Sequence, residues 1–125
     1  MSSRIHLRHW IAALALSASA TAFAHPKLVS TTPANHATVA APASISVTFS
    51  EKLLPVSGAE LVMTKMPGMT MPPMKIAAKA AVSADGKSLV LTPAKSLSTG
   101  TYRVDWHVVS TDTHAVKDSF EFTVK

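Results

Sequence analysis

Apolar and polar residues alternate in short bursts along most of the chain. Ile45, Val47 and Phe49 alternate with Ser46, Thr48 and Ser50. Tyr102, Val104, Trp106 and Val108 alternate with Arg103, Asp105, His107 and Val109, and Phe120, Phe122 and Val124 with Glu121 and Thr123. A period of two sends successive side chains to opposite faces, the mark of a half-buried strand. Shorter Val-, Thr- and Ile-containing runs predict further strands over 27–31, 59–63, 76–82 and 88–92. Asp85-Gly86 reads as a hairpin turn between the last two, and Ser98-Thr99-Gly100 turns the chain into the Tyr102 strand. About seven short strands in about 100 residues predict an all-β, Ig-like domain: a two-layer antiparallel sandwich or a small closed Greek-key β-barrel. The Ala-rich stretch at 77–81 has helix propensity but is too short and interrupted to form one. No internal repeat or second domain is visible.

The first 24 residues do not share this pattern. Arg4 and Arg8 precede an apolar run from Trp10 to Ala20, and Ala22-Phe23-Ala24 supplies small residues for cleavage. This is the layout of a secretory signal peptide, and the run is too short to cross a bilayer. The expected organisation is a cleaved segment 1–24 and a single domain 25–125, with His25 as the new first residue. Losing Arg4 and Arg8 takes the twelve basic residues to ten, against seven acidic. So mild an excess does not describe a nucleic-acid binder; it suits a protein that docks on an acidic partner. With no Cys in the chain, there is neither a disulfide nor a thiolate ligand. Soft-metal chemistry would have to come from Met or His.

All methionines but the initiator fall in one segment: Met63, Met66, Met69, Met71 and Met74. Core methionines would be scattered through the strands as gap fillers. Here they are interleaved with Pro67, Gly68, Pro72 and Pro73, which exclude a helix or a central strand and predict a surface loop. A thioether is neutral and polarizable, so it suits Cu(I) over harder cations. Prolines between the sulfurs reduce the entropy lost when they converge on one ion.

A chain beginning at His25 offers the α-amine and the imidazole Nδ1 from one residue, a chelate suited to Cu(II). Pro26 has no amide N–H, so the next backbone nitrogen cannot become a ligand and other side chains must complete the site. Asp112 and His114, at i and i+2, share one side if the segment is extended. His107 lies on the polar phase of its strand and reads as solvated; His36 reads as a loop residue.

The chain resembles the CopC/PcoC family of periplasmic copper-resistance proteins. The resemblance rests on His25-Pro26-Lys27-Leu28, Thr32-Pro33, Phe49-Ser50-Glu51, the methionine segment, Tyr102-Arg103-Val104-Asp105-Trp106, and Ser110-Thr111-Asp112-Thr113-His114. It implies a small Greek-key β-barrel with two copper sites at opposite ends. One is a Cu(II) site of His25, Asp112 and His114, with Glu51 nearby; the other is a Cu(I) site in the methionine segment. It also implies a monomer in the periplasm that passes copper to a multicopper oxidase or an inner-membrane copper protein. Two departures stand out. Met71 occupies a position where relatives carry His, which would leave an all-thioether Cu(I) site. Asp118 stands where Gly is usual, which would strain the chain if the backbone there had positive φ.

The expected function is therefore a copper carrier and not an enzyme. A copper-dependent oxidative enzyme built on an N-terminal histidine brace is the alternative. Against it, Phe49, Tyr102, Trp106, Phe120 and Phe122 all fall on inward phases, leaving no aromatic surface for a substrate. A metal-free structural sandwich would leave the methionine cluster unexplained.

Overall fold

The computed structural model describes residues 25–125; the expected signal peptide, 1–24, lies outside the described residues. Nine strands follow in order: β1 (Leu28–Thr32), β2 (Thr38–Val39), β3 (Ile45–Phe49), β4 (Gly58–Met66), β5 (Met69–Ile76), β6 (Ala78–Val82), β7 (Ser88–Pro93), β8 (Gly100–Val109) and β9 (Ala115–Val124). They form a four-stranded sheet, β1-β3-β7-β6, and a five-stranded sheet, β2-β9-β8-β4-β5. All pairings are antiparallel except the short parallel contact of β2 with β9. Among the described residues no hydrogen-bonded ladder joins an edge of one sheet to an edge of the other. The fold is thus an open sandwich, and the closed barrel is corrected.

The alternation in the sequence becomes the core. Ile45, Val47 and Phe49 of β3 and Leu89 and Leu91 of β7 face Tyr102, Val104, Trp106 and Val108 of β8 and Phe120, Phe122 and Val124 of β9. Phe49 meets Trp106 edge-on at a centroid distance of 4.9 Å, and Tyr102 stacks on Phe122 at 5.6 Å. These are the favoured arrangements of aromatic quadrupoles. All five aromatics point inward, as their phase requires.

Three expectations change. The run 76–82 is not one strand: Ile76 ends β5 in one sheet and Ala78 begins β6 in the other, so the chain crosses the sandwich at Ala77. The methionine segment is not a loop but a β-hairpin of β4 and β5. Its two-residue turn, Pro67-Gly68, has Pro first and Gly68 at φ 75°, the chemistry of a type II turn. The prolines do exclude a central strand, but β5 is the edge of its sheet, and Pro72 and Pro73 fall in the irregular stretch between the Met63–Met74 and Lys65–Thr70 pairs, where their missing N–H groups break no ladder. Lastly, Asp118 lies within β9 and is not among the positive-φ residues, so it carries no such strain.

β8 sets the long axis. Ten residues at about 3.3 Å each make it about 30 Å long. Lys65 pairs with Thr101 near its start, so the hairpin turn overhangs that end. The turn into β9 lies at the other. Gly100 allows the close approach at the hairpin end, because a Cβ there would lie 2.6 Å from both the Lys65 carbonyl oxygen and Met63 Cε. Gly100→Ala should therefore cost about 1–3 kcal/mol. Denaturant unfolding with an unchanged m-value would register it.

Candidate metal centre

Three chain segments meet beyond the end of β8. Pro26 is buried, which ties the start of the domain to the sandwich. The Lys27 N–H donates to Ser50 Oγ at 3.0 Å, and the Ser50 N–H donates to the Lys27 carbonyl at 2.9 Å. The 51–53 segment is held to the turn after β8 by the Leu53–Ser110 bridge and by the Thr111 N–H donating to the Lys52 carbonyl at 3.1 Å. His25 is thereby carried to His114: their rings pack edge-on with centroids 4.2 Å apart. Glu51 lies in the middle segment, at the same end of the sandwich.

Asp112 and His114 come together, but not through an extended segment. The chain makes a tight turn, closed by the Thr113 N–H donating to the Ser110 carbonyl at 2.9 Å and the Ser110 N–H donating to the His114 carbonyl at 3.0 Å. Thr113 sits at φ 72°. That is a left-handed conformation unfavourable for a β-branched residue and typical of sites where geometry outweighs local comfort. Within this turn the two oxygens of Asp112 differ. Oδ1 accepts the Ser110 hydroxyl and the His114 N–H. Oδ2 lies 3.0 Å from His114 Nδ1. The approach is short but badly aligned for an N–H···O bond, so this buried Nδ1 is left without a hydrogen-bond partner. An orphaned buried nitrogen beside a carboxylate oxygen asks for a third atom.

Electrostatics suit a cation. The Ser110 hydroxyl first, then the His114 ring nitrogen 3.0 Å away and the His114 backbone N–H, hold the Asp112 carboxyl well below the usual carboxylate range. It is ionised at any physiological pH. The set is incomplete as it stands: among the described residues no three His, Asp or Glu side chains are grouped to hold a metal. In the full chain the His25 nitrogen is also a peptide nitrogen following Ala24. Of the three residues expected at this site, the fold brings His114 against both others without forming a finished cage.

At the opposite end the methionines divide. Met63 is 1% exposed and belongs to the core, so it packs beneath the hairpin instead of joining the surface sulfurs. Met66, Met69 and Met74 are 38%, 57% and 43% exposed. Met71 is half-buried and packs against the core cluster. The register places Met66 opposite Met69 across the turn. His36 and His107 each engage another group: His36 Nδ1 is 3.0 Å from Glu121 Oε1, and His107 Nε2 is 3.2 Å from the Val56 carbonyl.

Sequence reasoning missed Ser110 and Thr113. Ser110 carried a signal: it continues the inward phase of Tyr102, Val104, Trp106 and Val108 and is itself buried. A polar residue at a core position needs a partner, and its partner is Asp112.

The family model for the CopC domain matches residues 28–125. The copper resistance protein C of Xanthomonas campestris pv. juglandis is 71% identical over 109 residues, covering 86% of each chain. That of Escherichia coli is 48% identical over 114 residues, covering 90% of each. Among solved structures, PcoC, a methionine-rich copper resistance protein from Escherichia coli, superimposes with a TM-score of 0.74 at 50% identity, covering 82% of this chain and 100% of that one. The sandwich, its two chemically distinct ends and these matches together establish that the chain belongs to the CopC family.

Proposed function

We propose that this protein is a periplasmic copper carrier for copper resistance, holding the ion without turning over a substrate. The observation that carries the reading is the pair His114 Nδ1 and Asp112 Oδ2, 3.0 Å apart with no hydrogen bond between them. Two donors each about 2 Å from a metal and at right angles around it stand about 2.8–3.0 Å apart. Cleavage after Ala24 would free the His25 amine beside this pair and complete a nitrogen- and oxygen-rich set suited to Cu(II). Ser110 occupies Oδ1, so Asp112 offers the metal one oxygen and keeps its orientation. The exposed thioethers of Met66, Met69 and Met74, with Met71 behind them, suit Cu(I). The printed names of the relatives, copper resistance protein C, support copper as the cargo. Residues 1–24 support export to the periplasm. A multicopper oxidase or an inner-membrane copper protein would receive the ion.

Native mass spectrometry of the protein purified from the periplasm tests this directly. The expected mass lacks residues 1–24 and gains one Cu(II) in air, one Cu(I) under reductant, and two coppers when both forms are supplied in turn. Failure to retain either copper form against a modest chelator would overturn the reading.

A further inference from the structure

The charges of the domain are segregated. The methionine end is built from 33–44, 65–70, 77–79, 93–100 and 123–125, and none of these segments contains Asp or Glu. It presents Lys65, Lys79, Lys95 and Lys125, all exposed. None of the four is in an ion pair among the described residues, and Glu121, at the border of this end, is engaged by His36 at 3.0 Å. Across the middle of the five-stranded sheet the charges are paired, Lys75 with Glu60 at 2.8 Å and Arg103 with Asp105 at 2.6 Å. At the far end Lys27, Lys52, Lys87 and Lys117 are matched in number by Glu51, Asp85, Asp112 and Asp118. The excess of basic over acidic residues in the domain therefore resides at the methionine end.

We propose that the methionine-hairpin end is a docking surface for an acidic face of the protein that takes up Cu(I). The inference rests on the Cu(I) reading of the hairpin and goes beyond it by naming the chemistry of the acceptor. Lysines around a soft-metal site do not help it hold a cation, so their concentration there calls for another cause. One-signed fields at a contact surface raise the rate of encounter and select partners of opposite sign. Neutral thioethers leave the full charge of Cu(I) on the tip, so the loaded form is more cationic than the empty one. An acidic acceptor would thus meet the loaded carrier in preference to the spent one. The overhanging turn serves this geometry, because residues 66–69 project past the last β4–β8 pair and can enter a partner's cleft. An anionic bilayer would also attract the lysines, but it offers no soft ligand to receive the ion, and the tip has no aromatic or leucine to insert.

The test uses amide NMR shifts of the protein, empty and Cu(I)-loaded. The probes are two synthetic peptides with the same methionine spacing, one flanked by glutamates and one by lysines, and vesicles of anionic or neutral phospholipid. The glutamate peptide should shift residues 65–70, 94–101 and 123–125, more tightly in the loaded form. Its affinity should fall at least tenfold between about 20 mM and about 200 mM salt, as the screening length contracts. The double variant Lys95→Glu/Lys125→Glu should bind Cu(I) normally yet reverse the peptide preference. Equal affinity for both peptides, an unchanged preference in the double variant, or shifts with anionic vesicles alone would overturn the docking proposal. Loss of Cu(I) binding by the unmodified protein would overturn the hairpin reading instead. The peptide arms with the empty protein would then still decide whether the surface selects an acidic partner.

Discussion

A protein that retains Ala24 in front of His25 should lose its Cu(II) site while remaining folded. The expected loss in affinity exceeds the roughly 10–100-fold that follows removal of an outer-shell partner, because a metal donor itself disappears. The reason is covalent. With Ala24 attached, the His25 nitrogen is an amide, neither basic nor easily deprotonated, and the six-membered chelate with the imidazole Nδ1 cannot close. The ring would still lie against His114, as it does in the structure, but as a single ligand. His114→Ala should cost less than the extension, since it removes one donor and leaves the amine–imidazole pair intact. A Cu(II) competition titration compares the three proteins. Equal affinity of the correctly processed and extended forms would remove the N-terminal site and leave the hairpin as the only copper site.

Replacing Met66, Met69 and Met74 together by Leu should abolish Cu(I) binding and leave Cu(II) binding near normal. Leu keeps much of the volume and apolarity of Met, so the hairpin should still form. Only the sulfur lone pairs are lost. About 30 Å of β8 separates the hairpin from the His114 turn, so the two losses should be independent. With thioethers alone as donors, Cu(I) affinity in the unmodified protein should be nearly flat between about pH 5 and pH 8. A steep fall near pH 6.5 would show that an imidazole is a ligand. His36 and His107 each have one ring nitrogen engaged elsewhere, His36 Nδ1 with Glu121 and His107 Nε2 with the Val56 carbonyl.

The sheet-forming core was legible because it rests on a local rule. Alternation over Ile45–Phe49, Gly100–Val109 and Ala115–Val124 fixes which side chains turn inward, and the same residues are buried. Closure is a non-local property, so no pattern within a strand distinguishes the barrel from the open sandwich that formed. The split of 76–82 was hidden for a similar reason: its apolar residues are compatible with a strand in either sheet, and only packing forces the change at Ala77. In the methionine segment the clustering of sulfurs was legible but the shape was not. Pro72 and Pro73 were informative about what the strand could not be, and silent on whether it lay at an edge. Met63 illustrates the limit of counting a residue type. It shares the cluster in sequence, but two positions after Leu61 it continues the core face of β4. At the other end, Asp112 and His114 were expected together for the wrong reason. Their spacing suggested an extended segment, whereas a left-handed Thr113 and a buried Ser110 create the contact. Such a turn depends on the free energy of the whole end of the sandwich, which a five-residue reading does not contain.

The edge position of β5 has a consequence for the life of the protein at high concentration. A free strand edge bearing exposed apolar side chains is a template onto which another copy can add its own strand, and so onward into fibres. Consecutive residues of a strand turn their N–H groups to opposite sides, so one of Pro72 and Pro73 denies a donor to any incoming strand, while the pair lies in the irregular stretch of the β4–β5 ladder. The residues that stiffen the hairpin thereby also oppose the addition of a further strand along it.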